Sequence, residues 1–465
     1  MRIPTRHTPV GSGAEQPSKR LDQPEPPLPV AAQRRRFLGA GASALAAAAL
    51  GAGGWLVPSG SARAQAAAPG PKARVVVVGG GYGGAIAAKY LKLADPDIRV
   101  TLIERNPRYV SCPLSNEVIS GERDIESLTF DYRGLTRRGI AVMQDEIVAI
   151  DPDAHYVRGA GGARYNYDKL ILSPGVSFDY DPIDGMSEAV AETTIPHAWK
   201  AGPQTLLLRR QLEAMPDGGV VAIVAPPNPF RCPPGPYERA AQMALYFQHH
   251  KPKSKVLILD AKDAFSKQRL FQAGWQEHYG DMIEWVPAAG GGTIEAIDPK
   301  TRTLTGLVED FQADVVNLIP HQRAARLAVD AGLTDSSGWC PVNQQTFESA
   351  QAPDIHIIGD AAIAGAMPKS GYAANAQGKV CAAAVAAAVN GEPPPAPSYV
   401  NTCYSILAPD HGISVAGVYR LQDGRITPVP DAGGLSALDA DPRTRAAEVE
   451  FAIGWFRNIT ADMFT

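Results

Sequence analysis

The sequence predicts an α/β fold with two Rossmann-like dinucleotide-binding-type domains, one inserted between the halves of the other, and a smaller C-terminal α+β domain. Three observations carry that reading. Residues 74–104 run strand, Gly-rich turn, helix and strand; a second strand–helix–strand unit starts at Gly219; and a third apolar strand, from Ile355, ends in Gly359-Asp360 before an Ala-rich run. The 465 residues, 45% apolar and 20% charged, suit a globular protein of two or three domains. A formal net charge of -4 supplies no basic face for nucleic acid. With no C-x-x-C and no His/Cys cluster in the sequence, no metal site is expected.

The N-terminus reads as an address. Residues 1–33 are polar and Pro-rich; Arg34-Arg35-Arg36-Phe37-Leu38 follows, then an Ala/Gly/Leu run to about Val57, then Ala62-Arg63-Ala64. A basic segment, an apolar segment and a small-x-small cut site make an export signal over residues 1–66, and consecutive arginines before Phe-Leu fit the twin-arginine route. An uncleaved anchor is the rival reading, since the apolar run approaches the roughly 20 residues that span a bilayer. The expectation is a periplasmic protein with no stable membrane insertion, in a compartment where disulfides persist.

In the mature chain the β-branched run Arg74–Val78 is a strand and Gly79-Gly80-Gly81-Tyr82-Gly83-Gly84 a turn. Ala85–Leu93 is a helix and Ile98–Ile103 a strand ending at Glu104. Gly79, Gly81 and Gly84 fit G-x-G-x-x-G, with Glu104 about twenty residues on. The glycines let backbone N–H groups approach a pyrophosphate at the helix N-terminus, and Glu104, followed by Arg105, can accept from ribose hydroxyls. Gly359-Asp360 turns the choice of dinucleotide toward FAD, because an Asp that opens a helix at a strand end can bond a ribityl chain. An ordinary N-cap is compatible with that role. Lys369 and Gly371, in Pro368-Lys369-Ser370-Gly371-Tyr372, can line the flavin.

The second unit, Val220–Val224, a helix over Tyr237–His249 and the strand Val256–Asp260, departs from a nucleotide site at its turn. Residues 225–236 hold six prolines, which have no N–H for a pyrophosphate and cannot adopt positive φ. No NAD is therefore expected. The boundaries read as 73–190 and 313–394 for the two parts of the FAD-binding domain and 191–312 for the degenerate NAD-type domain. The stiff segment Glu392–Pro397 leads into a C-terminal domain over 395–465. Of five cysteines, Cys381 lies in the Ala-rich helix as a small apolar residue, while Cys232 and Cys340 sit in Pro-flanked loops. A Cys232–Cys340 disulfide is one of several pairings the sequence leaves open.

Over essentially the whole mature chain the sequence resembles the flavoprotein chains of flavocytochrome c sulfide dehydrogenases, within the wider sulfide:quinone reductase and disulfide reductase group. The runs that carry the resemblance are residues 87–96, 112–118, 229–239, 338–342, 367–372 and 401–409. It implies that Cys112 carries FAD through an 8α-S-cysteinyl bond and that Cys232 and Cys340 form a redox-active disulfide beside the flavin. It also makes Glu238 a candidate acid/base, while Cys403 matches a family cysteine with no assigned role. Sulfide would attack the disulfide by thiol–disulfide exchange and leave as sulfur or polysulfide, with electrons passing to a cytochrome c. This chain has no C-x-x-C-H, so the haem is expected on a partner subunit or a soluble cytochrome c. Rival readings are a sulfide:quinone oxidoreductase, for which the tail Phe451–Ile459 has few basic residues, and a non-catalytic flavin electron relay.

Overall fold

The computed structural model describes residues 70–465; the segment read as an export signal lies outside the described residues. The chain enters the first domain on β1 (Arg74–Val78), α1 (Gly84–Ala94), β2 (Arg99–Glu104), β3 (Ala141–Gln144) and β4 (Lys169–Leu172). It then builds the second on β5 (Val220–Ala225), α2 (Gly235–His250), β6 (Lys255–Asp260), α3 (Gln268–Tyr279), β7 (Ile283–Val286) and β8 (Val315–Leu318). It returns to the first through β9 (Ile355–Ile357) and α4 (Gly371–Val389).

Each domain is organised on a fully parallel sheet. The first has the order β9-β4-β1-β2-β3 and the second β7-β6-β5-β8. Covered on both faces, such strands are apolar throughout, as Val75–Val78 and Val221–Ala225 are. The inserted order is as expected, and each of the local elements read from the sequence forms. One boundary moves: β8 pairs with β5, so the second domain runs to Leu318 and the return to the first begins after it, not at 313. Three apolar residues and one Asn at Val315–Leu318 fit either sheet by composition, and only their pairing assigns them. The two crossings between domains run side by side, Val176–Asp179 antiparallel to His321–Ala324.

The C-terminal part is an antiparallel meander of β10 (Tyr399–Ala408), β11 (His411–Gln422) and β12 (Arg425–Pro428), closed by α5 (Pro442–Phe464). Asp441 caps α5 by accepting from the N–H groups of Arg443 and Thr444 at 2.9 and 3.2 Å, ahead of Pro442 in the first turn. Phe451 of the tail stays exposed, but the other aromatics pack inward: Phe464 stacks on Phe130 at 5.1 Å, and Trp455 on Tyr372 at 6.2 Å. Among the described residues no helix is long and apolar enough to cross a membrane.

Candidate active site

A cavity of about 920 Å3 opens at the C-terminal ends of β1 and β2, bounded by the α4 N-terminus, the loop before α2, and β10. Of the site residues read from the sequence, Gly79, Gly81, Glu104, Arg105, Cys112, Cys232, Glu238, Gly359, Asp360, Lys369 and Gly371 line it; Gly84 and Cys340 do not.

One end is built to take a dinucleotide phosphate. Gly79 has φ +97°, and a Cβ there would stand 2.3 Å from the Ser173 carbonyl oxygen; a Cβ on Gly84 would stand 1.9 Å from the Gly79 carbonyl. The turn therefore closes only with glycine, and Gly84 acts by letting α1 start against it rather than by facing the cavity. No side chain caps α1; the Ala85 N–H bonds the Gly81 carbonyl at 3.1 Å, so a ligand anion at the turn meets no competing side-chain acceptor from a cap. Glu104 accepts from the Gly80 N–H at 2.8 Å and from the Asn106 N–H at 3.0 Å, which holds the acid across the mouth of the turn.

The other end faces α4. Ser370 caps that helix, accepting from the Ala373 N–H at 3.1 Å. Asp360 does not open it, as the sequence reading had it: Gly359–Ala361 form a single 3₁₀ turn ten residues earlier, and a further turn at Gly365-Ala366, closed by the Met367 N–H on the Ala364 carbonyl at 3.1 Å, precedes the helix. Asp360 Oδ1 is buried without a partner at the cavity wall, and burial raises its carboxyl above the ordinary carboxylate value against the pull of Arg231 and Lys369. An orphaned acceptor there fits a ligand hydroxyl, which is the donor a ribityl chain presents. Lys369 donates to the carbonyls of Asp360 at 2.7 Å and Ala362 at 3.1 Å. Burial brings its ammonium down to about 8. The glycine turn, the uncapped helix and Asp360 together fit FAD.

Between these ends lie the thiols. Cys112 Sγ accepts from Arg231 Nη2 and from the Ala201 N–H, both at 3.5 Å. Cys232 has φ +57°, and its N–H donates to the Lys369 carbonyl at 2.8 Å. Burial pushes its thiol well up, reinforced by Cys403 and Glu238. Cys340 is fully buried one layer behind the wall: its N–H donates to Ala361 O at 3.0 Å, its carbonyl accepts from the Ile363 N–H at 2.8 Å, and burial pushes its thiol up to about 12. All five cysteines are free thiols, so the disulfide expected between Cys232 and Cys340 is not formed in this structure. Cys232 lines the cavity, whereas Cys340 packs into the core.

Glu238 Oε1 accepts from the Ile406 N–H at 2.9 Å and Oε2 from Asn116 Nδ2 at 3.0 Å, yet burial raises its carboxyl. Three residues to which the sequence reading gave no role complete this region. Cys403 on β10 shares the cavity with Cys232. Buried Lys267 donates to Ser405 Oγ at 2.8 Å, and burial lowers its ammonium. Arg239, 2% exposed, donates to Asn116 Oδ1, Asn317 Oδ1 and the carbonyls of His197 and Ala198 at 2.8–3.0 Å. A lone Arg among the apolar positions of α2, one residue after Glu238, was the available signal. Lys267 left none, since nothing local marks a loop lysine as buried.

The second domain's turn is closed by its own side chains. Asp260, at the end of β6, accepts from Tyr237 OH at 2.5 Å, Lys262 Nζ at 2.6 Å and Trp285 Nε1 at 3.0 Å. Tyr237 stacks on Phe265 at 3.6 Å. The carboxylate that would meet a ribose is thus saturated.

Residues 205–320 match the family model of the central domain of sulfide dehydrogenase (flavocytochrome c) flavoprotein chains, and residues 395–464 that of the flavin-binding domain of flavocytochrome c sulphide dehydrogenase. Residues 73–205 match the pyridine nucleotide-disulphide oxidoreductase model. A sulfide dehydrogenase (flavocytochrome c) flavoprotein chain of Chlorobaculum thiosulfatiphilum is 62% identical over 45 residues, 10% of this chain and 94% of that sequence. The mitochondrial sulfide:quinone oxidoreductase of Mus musculus is 22% identical over 62% of this chain, which spans 65% of the mouse protein. The sulfide:quinone oxidoreductase structure from Aquifex aeolicus superposes with a TM-score of 0.66 at 17% identity, covering 84% of this chain and 92% of the other.

Proposed function

Because the chain belongs to the family of sulfide dehydrogenase (flavocytochrome c) flavoprotein chains, we propose that it oxidises sulfide to sulfur or polysulfide and delivers the electrons to a cytochrome c. The observation that carries this reading is the placing of Cys232, on the wall of a dinucleotide cavity, beside Glu238. A catalytic pair of Cys232 and Cys340 would open to hydrosulfide on the Cys232 side. Attack forms a persulfide on Cys232 and breaks the S–S bond, and the second sulfur leaves on Cys340 as a thiolate. Lys369, whose charge lowers the Cys340 thiol against the pull of burial, stabilises that thiolate. Glu238 holds or returns the proton at the Cys232 sulfur, a task that a raised carboxyl fits.

Gly79, Gly81, Glu104, Asp360, Gly371 and the two helix N-termini would hold FAD, with Cys112 as its covalent attachment. FAD supplies, when bound, a two-electron oxidant for the cysteines and a one-electron donor to haem. The saturated Asp260 and the prolines of residues 225–236 support electron entry without NADH. A partner chain or soluble cytochrome supplies the haem, and residues 1–66 direct export to the periplasm.

Anaerobic mixing with sulfide, followed by cytochrome c or a soluble quinone in separate cuvettes, tests the reading. Bleaching of the flavin and fast cytochrome reduction are expected. Preferential quinone turnover would move the chain to the quinone branch, and a flavin that stays oxidised would remove sulfide as the substrate.

A further inference from the structure

Three metal-ligating side chains meet where the second domain touches the C-terminal hairpin, away from the cavity. Glu277 and His278 occupy the last turn of α3, and His411 opens β11 after the Pro409-Asp410 turn. One carboxylate oxygen of Glu277 and one ring nitrogen of each histidine all lie within 4.8 Å of one another. His278 Nε2 and His411 Nδ1 are 2.8 Å apart, and Glu277 Oε2 is 3.7 Å from the same His411 nitrogen. Two ligand atoms on one tetrahedral ion, each about 2.0–2.2 Å from it, stand roughly 3.3–3.5 Å apart, so the observed separations bracket what an ion would impose.

We infer that Glu277, His278 and His411 bind one divalent d-block cation that staples α3 to the β10–β11 hairpin. The sequence reading expected no metal site; the two histidines are 133 residues apart, a separation no local spacing rule detects. Two imidazoles and one carboxylate select zinc, copper or nickel over magnesium or calcium. The exposed flank beside Glu277, whose side chain is 62% exposed, leaves room for water to complete the coordination.

The scaffold around the cluster is rigid. The His278 carbonyl accepts from Gln248 Nε2 of α2 at 2.6 Å, and the neighbouring Tyr279 OH donates to Leu407 O of β10. The absence of a side chain at Gly274 lets α3 approach this closely, for a Cβ there would stand 2.4 Å from Leu407 Cδ2 and 3.5 Å from His411 Nε2. His411 itself is buried, so its ring is held by packing. A histidine–histidine hydrogen bond alone would account for the two nitrogens but not for the convergence of the carboxylate. The hairpin so stapled carries Cys403 and the Ile406 N–H that holds Glu238, yet the inference is independent of what the cavity oxidises.

The test is calorimetric titration of the chelator-treated, flavin-loaded protein with zinc chloride, and with magnesium chloride as control. Wild type should bind one zinc more per chain than His278→Ala, and magnesium should not compete. Zinc should raise the Tm of wild type but not of His278→Ala, and Glu277→Gln should bind the same ion more weakly. His278 is the partly exposed histidine, so its variant should keep a native flavin spectrum, which verifies the fold. His411→Ala is the second variant, expected to lose the same ion. Equal stoichiometry in wild type and both histidine variants, which zinc held on the thiols alone would give, overturns the inference, as does equal binding of magnesium.

Discussion

Cys112 and Glu238 show how much a single side chain decides here. If Cys112 is the flavin's tether, acid precipitation of wild type leaves the yellow colour in the pellet, and Cys112→Ser releases it to the supernatant. Glu238 bears on both chemistry and stability. Burial is the largest influence on its carboxyl and raises it above the ordinary 4.5, against the bonds from Ile406 and Asn116 and the charge of Lys267. Above pH 4.5 the folded chain therefore holds a proton that the unfolded chain has lost. Stability from this group is greatest below that pH and falls as pH rises through the folded value. Glu238→Gln should flatten the stability–pH curve above pH 4.5 relative to wild type, measured by urea unfolding. It should also slow flavin reduction by sulfide by ~10²–10⁴-fold. Cys232→Ser should abolish that reduction, whereas Cys381→Ser, deep in the core beside α1, should not.

Among the elements, α1 and α4 meet backbone to backbone at the floor of the cavity. A Cβ on Gly378 would stand 2.5 Å from Ile86 Cγ2 and 2.6 Å from the Gly83 carbonyl; a Cβ on Gly84 would sit inside the Gly79 carbonyl. Gly84→Ala must push α1 off the turn. It should cost about 1–3 kcal/mol and lower the flavin-to-protein ratio, read by absorbance and thermal melting. This turn was legible in the sequence because strand, glycines, helix and acid are contiguous and each obeys a local rule. The departure of the second unit's turn from a glycine-rich one was legible for the same reason, in prolines that cannot donate. The last strand of the second domain, Val315–Leu318, was not, since a short, mostly apolar run pairs with whichever sheet has a free edge.

For the molecule as a whole, Arg239 ties the pieces together. Its guanidinium joins α2 to Asn116 of the first domain and to the strand carrying Asn317, so Arg239→Ala leaves several buried acceptors unpaired. It should cost at least ~3 kcal/mol, from penalties of about 1–3 kcal/mol per group, seen in the urea midpoint. The C-terminal part closes the same site from the other side, through Ile406, Cys403 and the aromatics of α5. At this scale the closed second turn predicts that NADH, added anaerobically in excess, leaves the flavin oxidised; flavin bleaching by NADH would show that a nucleotide enters after all.

What the sequence by itself determined is everything set by neighbours along the chain: the two Rossmann-like units, the order of insertion, the FAD turn, and the family through its long matched runs. Tertiary structure alone decided which distant side chains share a wall. It placed Cys403 and Lys267 with Glu238, buried Cys340 one layer behind Cys232, and brought His278 against His411. The physical reason is that propensity and turn chemistry act over a few residues, whereas burial and the meeting of charges depend on how sheets and helices stack.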